Sequence, residues 1–144
     1  MKKILIMGLS GSGKTSLSDA IKDAYTGTVY TLNADKVRKE ANDWDFSEEG
    51  RIRQAKRMAS LAEKIGVDSI EKDILIVDFI CPTVETRSLF NADIVIWMDT
   101  VKECEYEDTN EQFQRPQFST ENIHYYVTTK NAQHWAKQFI ETIL

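Results

Sequence analysis

Cysteine and long hydrophobic runs are both scarce in this sequence. The two cysteines, Cys81 and Cys104, stand alone, without a CxxC pair or a Cys/His cluster. A disulfide framework and a cysteine zinc site are therefore excluded, and reduced thiols in the cytoplasm are expected. The longest apolar runs have only the length of a strand, so no membrane-spanning segment is expected. The opening run MKKILIMGL is also too short for a secretory signal.

Basic residues are in deficit, with 18 Lys and Arg against 23 Asp and Glu and a net charge of −5 at pH 7. This balance excludes a general attraction to nucleic acid or to anionic membranes, although it leaves room for a local basic patch. A chain of 144 residues, 42% of them hydrophobic, is long enough for one core and too short for two. We therefore expect a single domain over residues 1–144.

Glycine is rare as well, yet three of the six glycines fall in one stretch. MGLSGSGKTSL (7–17) follows the apolar run ILI and precedes a helical pattern. The spacing Gly8-x-x-x-x-Gly13-Lys14-Thr15 is that of a phosphate-binding loop, the P-loop, which needs a strand before it and a helix after it. The sequence meets both conditions, so the motif predicts a nucleotide site.

The chemistry of such a loop explains its residue types. Glycines let the backbone wrap closely, so that successive N–H groups point at a phosphate, and the helix beginning near Lys14 adds the positive end of its dipole. Lys14 is expected to reach the β- and γ-phosphates, and the Thr15 hydroxyl to coordinate Mg²⁺. ATP and Mg²⁺ are the expected cofactors. The expected nucleotide-binding residues are Gly8, Ser10, Gly11, Ser12, Gly13, Lys14, Thr15 and Ser16.

Strand and helix patterns alternate along the chain. The predicted strands cover 3–8, 28–33, 73–80, 93–99 and 122–129, and the predicted helices cover 14–25, 35–41, 47–66, 84–90 and 130–143. Continuous apolar runs are typical of parallel strands that are buried on both faces. We expect an α/β P-loop kinase fold, a five-stranded and mostly parallel sheet with helices on both faces. Gly27 and Gly66 are expected to end helices in the left-handed conformation.

P-loop proteins divide into kinases, GTPase switches and ATPase motors. A guanine-specific switch normally carries an Asn-Lys-x-Asp element, which this sequence lacks, and motors are larger chains. We therefore expect a small-molecule kinase. Such an enzyme needs a carboxylate that orients the acceptor, cations for the transferred charge, and a means of excluding water.

The segment 101–120 has no clear periodicity and follows a predicted core strand. Its length and position are typical of a short lid, while a plain surface excursion stays the alternative. Arg115 is the only arginine in it. We expect Arg115 to supply the cation for the transition-state charge.

Two aspartates follow predicted strands. Asp78 ends the run ILIV in a strand expected beside the first, where it would hold a Mg²⁺-bound water or, alternatively, cap the next segment. Asp35 would orient or deprotonate the acceptor hydroxyl, and it can also cap the helix over 35–41. The predicted catalytic residues are Lys14, Asp35, Asp78 and Arg115, and the predicted metal ligands are Thr15 and Asp78.

Basic residues are concentrated in EEGRIRQAKR, at the start of a predicted helix. Three of them share one face that is expected to be solvated: Arg53, Lys56 and Arg57. Arg51 projects with Gln54 toward the apolar side and needs an anion, so it is expected to bind substrate, as is Arg38. Phe46 and Trp44, just before this helix, would either stack on a base or pack in the core. For Arg87, structural and functional roles stay open.

Several blocks together resemble the adenylylsulfate kinase (APS kinase) family of P-loop kinases. GLSGSGKTSL is similar to the family's loop GLSGxGKTT, and LNADKVR (32–38) to L-D-G-D-N-[IV]-R. FSEEGRIRQAKRMASLA (46–62) is in register with F-S-x-E-D-R-x-E-N-I-R-R-V-x-E-V-A, and FICP (79–82) stands where the family has F-I-S-P. The resemblance covers about the first 90 residues and the strand end at Asp99.

The resemblance implies transfer of the ATP γ-phosphate to the 3′-hydroxyl of adenylylsulfate, with Mg²⁺. It implies an acceptor site lined by Asp35, Arg38, Phe46, Arg51 and Gln54, in which Phe46 stacks on the acceptor adenine. The expected partner is thus a small nucleotide acceptor, with no membrane and no general nucleic-acid binding, and a homodimer stays open.

The sequence also departs from the family pattern. The D-G-D-N element reads Asn33-Ala34-Asp35-Lys36, Gly50 replaces an aspartate, Gln54 an asparagine and Cys81 a serine, and the basic lid is replaced by the acidic segment 101–120. Lid and acceptor site set specificity in such enzymes, so two alternatives remain. One is a kinase for another hydroxyl, on a nucleoside, a modified base or a polynucleotide end. The other is a nucleotide-binding regulatory protein with weak transfer.

Overall fold

The computed structural model describes all 144 residues, as one parallel β-sheet flanked by helices. The strands are β1 (Lys2–Met7), β2 (Val29–Asn33), β3 (Ile74–Asp78), β4 (Ile94–Met98) and β5 (Tyr125–Val127). The helices are α1 (Lys14–Ala24), α2 (Ala34–Ala41), α3 (Glu48–Gly66), α4 (Val84–Phe90), α5 (Glu107–Gln112) and α6 (Ala132–Thr142).

The strand order is β2-β3-β1-β4-β5, and all four pairings are parallel. β1 thus lies between β3 and β4, the two other strongly apolar runs, while the two weaker predicted strands form the edges. This arrangement confirms the expected α/β fold and the expected position of Asp78 beside the first strand. The carboxyl ends of all the strands meet at one edge of the sheet, where α/β proteins bind ligands.

Two apolar layers cover the sheet. Alternate side chains of β1, among them Ile4 and Ile6, pack with α1 and α6 on one face. The side chains between them, Leu5 and Met7, pack with α2, α3 and α4 on the other. Because every β1 side chain from Ile4 onward is buried, the strand is apolar without alternation.

The ends of two helices differ from expectation. Gly27 and Gly66 do not take the left-handed conformation, so that prediction is wrong. Asn42 (φ +50°) and Asn91 (φ +54°) take it instead, at the C-termini of α2 and α4. Asparagine tolerates this region better than other residues with a side chain. No helix has both the length and the apolar composition required to cross a membrane.

Candidate active site

The P-loop joins β1 to α1 and leaves the first amides of α1 without a side-chain cap. Gly13, the residue before α1, has φ +99° and caps the helix with no side chain, and the first turn of α1 carries no acidic residue. Free amides and a helix dipole without a counter-charge favour an anion at this position. The Thr100 hydroxyl donates to the Ser12 carbonyl (2.6 Å) and fixes the loop from β4's side.

Lys14 lies buried inside this loop. Its Nζ donates to the Leu9 carbonyl (3.1 Å), which is its only protein hydrogen bond, and the residue is 8% exposed. Burial lowers the pKa of Lys14, while the nearby carboxylates of Asp78 and Asp35 act in the opposite sense. A desolvated ammonium with spare donors fits a phosphate group well.

Asp78, at the end of β3, receives hydrogen bonds from two neighbouring elements. The Thr15 hydroxyl of α1 donates to its Oδ2, and so does Nδ2 of Asn33 from the end of β2 (3.0 Å). Asn33 also caps α2, because its Oδ1 accepts from the Lys36 amide (3.0 Å). No group of three or more His, Cys, Asp or Glu side chains is placed to hold a metal ion.

ATP and Mg²⁺ therefore fit the residues that are present. The uncapped amides and Lys14 suit the phosphates, and a hydroxyl beside a carboxylate, Thr15 and Asp78, is a hard-oxygen pair of the kind that Mg²⁺ takes together with phosphate oxygens.

A cavity of about 860 Å³ extends from the P-loop across the edge of the sheet. Most of the predicted site residues line it: Ser10, Gly11, Gly13, Lys14, Thr15, Ser16, Asp35, Arg38, Phe46, Arg51 and Asp78. The structure thus brings the nucleotide loop and four of the five predicted acceptor residues together in one space. Gly8 and Ser12 are buried and do not line it.

The loop between α2 and α3 positions Arg38 and Phe46. Nη1 of Arg38 donates to the carbonyls of Asp43 (3.0 Å) and Asp45 (3.2 Å), and its guanidinium lies 4.5 Å from the centre of the Phe46 ring. Burial lowers the pKa of Arg38, and Asp43 opposes that effect. Nε and Nη2 of Arg38 have no hydrogen-bond partner in the protein, which leaves donors for a ligand. Trp44 also lines the cavity, with half of its surface exposed.

Arg51 connects α3 to the segment 101–120. Its Nε donates to the Phe46 carbonyl (2.9 Å), and its Nη2 donates to the Thr109 hydroxyl (2.8 Å) and lies 3.6 Å from Oδ2 of Asp108. Burial lowers the pKa of Arg51, whereas Asp108 acts to raise it. Nη1 of Arg51 keeps no protein partner.

Two predicted site residues lie elsewhere. Gln54, expected to bind substrate, is fully buried and outside the cavity lining: it donates to the Ala34 carbonyl (3.0 Å) and accepts from Arg57 (2.6 Å). The family pattern has an asparagine at this position, and the longer Gln54 side chain bonds the Ala34 backbone instead of lining the cavity. Arg115 forms a two-point ion pair with Asp99 (2.8 and 3.1 Å) and lies over the Trp97 ring, also outside the cavity. Asp99, which follows β4, therefore holds the Arg115 guanidinium away from the cavity.

Arg87 is an anchor and does not line the cavity. Its guanidinium pairs with Glu121 (3.1 Å to both oxygens) and donates to the carbonyls of Pro82 and Gln114. These contacts fix the end of the segment 101–120 on α4.

The sequence reasoning missed several cavity residues. Lys130, just before α6, adds a cation on the side of Gly13, and its position in the segment that follows an edge strand gave no signal. Asn33 also lines the cavity, at a position where the sequence pattern indicates only the loss of a carboxylate. Tyr106, Asp108 and Thr109 belong to α5 and its N-terminus, a helix without apolar periodicity.

Residues 2–117 match the family model of adenylylsulphate kinase. The match covers the P-loop, Asp35, the loop with Phe46, α3 and Asp78, which together form the cavity described above. The chain belongs to the adenylylsulphate kinase family. As a member of this family it is a P-loop kinase, a nucleotide-binding phosphotransferase.

Solved structures of several kinases share the fold. An APS kinase of Mycobacterium tuberculosis in complex with AMPPNP and APS is 21% identical over 97% of this chain and 95% of its own, with a TM-score of 0.80. Shikimate kinase of Acinetobacter baumannii in complex with shikimate is 17% identical over 99% and 93%, with a TM-score of 0.59. Kti12 of Chaetomium thermophilum in complex with ADP-AlF3 is 12% identical over 99% of both chains, with a TM-score of 0.64. A comparison with curated proteins gives no match.

Proposed function

We propose that this kinase transfers the γ-phosphate of ATP to a hydroxyl group of a small nucleotide-like acceptor, with adenylylsulfate as the candidate that the family suggests. The observation that carries this proposal is the single cavity that joins the P-loop to Asp35, Arg38, Phe46 and Arg51. The M. tuberculosis APS kinase of the same fold holds a nucleotide analogue together with an acceptor.

The nucleotide end of the cavity would hold the triphosphate. The uncapped amides before α1 and the ammonium of Lys14 would bind the β- and γ-phosphates, and Thr15 and Asp78 would hold Mg²⁺. When bound, Mg²⁺ neutralises charge that develops on the phosphate oxygens.

The acceptor end would hold the hydroxyl and its carrier. Asp35 lines the same cavity as Lys14, and its carboxylate would orient the acceptor hydroxyl and take its proton. The free N–H groups of Arg38 and Arg51 would bind acceptor oxygens, and the partly exposed ring of Phe46 would stack on a base. Arg115 has no part in this assignment because it is paired with Asp99 outside the cavity.

A second acceptor class, an uncharged nucleoside-like alcohol, is favoured by one observation. The acceptor wall carries Asp108, whose carboxylate faces Arg51 at 3.6 Å and lines the same cavity. An arginine that already has a counter-ion is a weaker site for a sulfate or phosphate group.

The test is Mg²⁺-ATP turnover, measured as ADP release, with adenylylsulfate, nucleosides, nucleotides and oligonucleotides as acceptors. Lys14→Ala is expected to abolish turnover. Asp35→Asn is expected to lower kcat by about 10²–10⁴ while the KM for ATP changes little, because Asp35 acts on the acceptor.

The matched control is Asp19→Asn, which removes an exposed carboxylate of α1 and should leave kcat unchanged. Wild-type kcat in Asp35→Asn would remove that residue from the reaction. Tight ATP binding without stimulation by any acceptor would contradict the proposed transfer and favour a regulatory role.

A further inference from the structure

The segment 101–120 brings no cation to the acceptor end of the cavity. It contributes Tyr106, Asp108 and Thr109 to the lining, whereas its one arginine, Arg115, is paired with Asp99 elsewhere. The charge that this segment presents to the acceptor is therefore negative.

Asp108 is held in place by two contacts. Its Oδ1 accepts from the Thr109 amide (3.0 Å), and its Oδ2 lies 3.6 Å from Nη2 of Arg51. The neighbouring Thr109 hydroxyl accepts from the same nitrogen (2.8 Å) and is buried with Arg51. The Arg51 side chain is 5% exposed, while that of Asp108 is 56% exposed. The carboxylate thus stands between a buried guanidinium and the open cavity.

The charges at the acceptor end balance without a ligand. Among the cavity-lining residues, Lys14 and Lys130 lie at the P-loop, and Asp78 is engaged by Thr15 and Asn33. The acceptor end then carries two cations and two anions: Arg38, Arg51, Asp35 and Asp108. A dianionic acceptor such as adenylylsulfate would give this region an excess of negative charge.

We propose that Asp108 determines specificity by acting as the built-in counter-ion of Arg51, so that this kinase prefers an uncharged nucleoside-like acceptor to an anionic one. An anionic group brought to Arg51 meets a second negative charge beside the guanidinium, and this repulsion costs binding energy. An uncharged oxygen accepts a hydrogen bond from the free Nη1 without that cost. The inference rests on the proposed function and names the class of its acceptor.

The experiment measures acceptor binding by calorimetry with Mg²⁺-AMPPNP saturating the P-loop, using adenosine, AMP and adenylylsulfate as probes. The wild type is expected to bind adenosine at least as tightly as the two anionic probes. Asp108→Asn should lower the Kd of both anionic probes by about tenfold and leave that of adenosine within about twofold. Asparagine keeps an acceptor for the Thr109 amide, and Asp108→Ser is measured in the same way should Asp108→Asn not fold.

Glu107→Gln is the control. Glu107 is the exposed neighbour of Asp108 in α5 and does not line the cavity, so its neutralisation changes the net charge equally without touching Arg51. An unchanged ratio of anionic to neutral affinity in Asp108→Asn would overturn the inference, as would the same change in Glu107→Gln. Failure of the anionic probes to bind Asp108→Asn would overturn it too, because removing the Asp108 carboxylate would then open no anion site.

The two proposals fail in different ways. Binding with a non-hydrolysable nucleotide needs no phosphate transfer, so an absence of turnover leaves the Asp108 measurement decisive. Conversely, strong stimulation of ADP release by adenylylsulfate with an unchanged affinity ratio would keep the proposed transfer and remove the role of Asp108.

Discussion

The Asn33 side chain makes two hydrogen bonds, one to the backbone of α2 and one to Asp78. Its Oδ1 caps α2 and its Nδ2 donates to Asp78. The resemblance to adenylylsulfate kinases puts an aspartate at this position. An aspartate would keep the cap but set a second carboxylate against Asp78, so Asn33 is matched to the residue it contacts.

We expect Asn33→Asp to lower the free energy of unfolding by about 1–3 kcal/mol at pH 7 in Mg²⁺-free buffer. The loss should shrink as the pH falls, because one proton shared by the two carboxylates removes their repulsion. Urea denaturation at several pH values measures it. Asn33→Ser removes the amide without adding charge, so it should be less destabilised than Asn33→Asp at pH 7. A loss in Asn33→Asp no larger than that in Asn33→Ser would rule out the repulsion.

The location of a single site residue was predictable where a sequence motif fixes its place in a loop of known conformation. Lys14 and Thr15 stand at fixed offsets from Gly8 and line the cavity as expected. Gln54 and Arg115 were expected in the cavity and lie outside it, because a long polar side chain takes the best partner that the tertiary structure offers. Those partners, the Ala34 carbonyl and Asp99, are distant in sequence and leave no local pattern.

At the scale of elements, the N-terminus of α3 depends on the absence of a side chain at Gly50. A Cβ there would overlap the carbonyl oxygen of Asp45, the same carbonyl that accepts from Arg38. The glycine therefore lets the loop before α3 pack against the helix and support the acceptor wall. The aspartate of the family pattern could not stand here without moving that loop.

Gly50→Ala is expected to destabilise the protein by about 1–3 kcal/mol, although alanine favours helices over glycine. Thermal or urea denaturation measures the change. Gly66→Ala is the matched control in the same helix, because its Cβ would meet only the flexible end of Met1, at 3.2 Å. A similar loss in both variants would mean that backbone overlap at Asp45 is not the cause.

The loop before α3 is also held by charge. Asp43 accepts hydrogen bonds from Arg53 (2.8 and 3.0 Å) and Arg57 (2.7 Å), which hold the pKa of this carboxyl far below its usual value. A depressed pKa means that the pairing stabilises the folded state fully above the unfolded pKa, about 3.9, and less as the pH falls through the folded pKa.

Asp43→Asn should therefore be less stable than the wild type by a constant amount from pH 7 to about pH 5, and the difference should narrow below about pH 4. Urea denaturation across this range tests the expectation. Asp68→Asn, an exposed carboxylate without a hydrogen bond, should match the wild type throughout. A difference for Asp43→Asn that is as large at pH 3 as at pH 7 would point to packing and not to charge.

Elements were predictable where apolar spacing is strong. β1, β3 and β4 are continuous apolar runs, and their burial on both faces follows from that pattern. α5 was not predicted, because its sequence EDTNEQ buries only Thr109, and that residue is held by Arg51, 58 positions earlier. Gln112 of the same helix donates to the Phe46 carbonyl (3.0 Å), so α5 is held by distant hydrogen bonds and shows no apolar periodicity in the sequence.

At the scale of the whole molecule, basic residues are fewer than acidic ones, yet four cations line the cavity: Lys14, Arg38, Arg51 and Lys130. Apart from Arg51, the basic residues at the start of α3 do not line that cavity, and two of them, Arg53 and Arg57, are paired with Asp43 and Asp45. For a polynucleotide end bound in the cavity, these four cations would supply the main phosphate contacts.

We therefore expect an oligonucleotide to bind no more tightly than its terminal nucleotide, with a shallow dependence on salt. Each phosphate neutralised on a single strand contributes about 0.7 to the slope of log K against log salt, so four cavity cations give a slope of about 3 at most. Fluorescence anisotropy of a labelled oligonucleotide between low and physiological salt measures the slope, with the Lys14→Ala variant showing how much of it comes from the P-loop. A slope of about 6 or more would reveal a basic track outside the cavity and turn the search for the acceptor toward nucleic-acid ends.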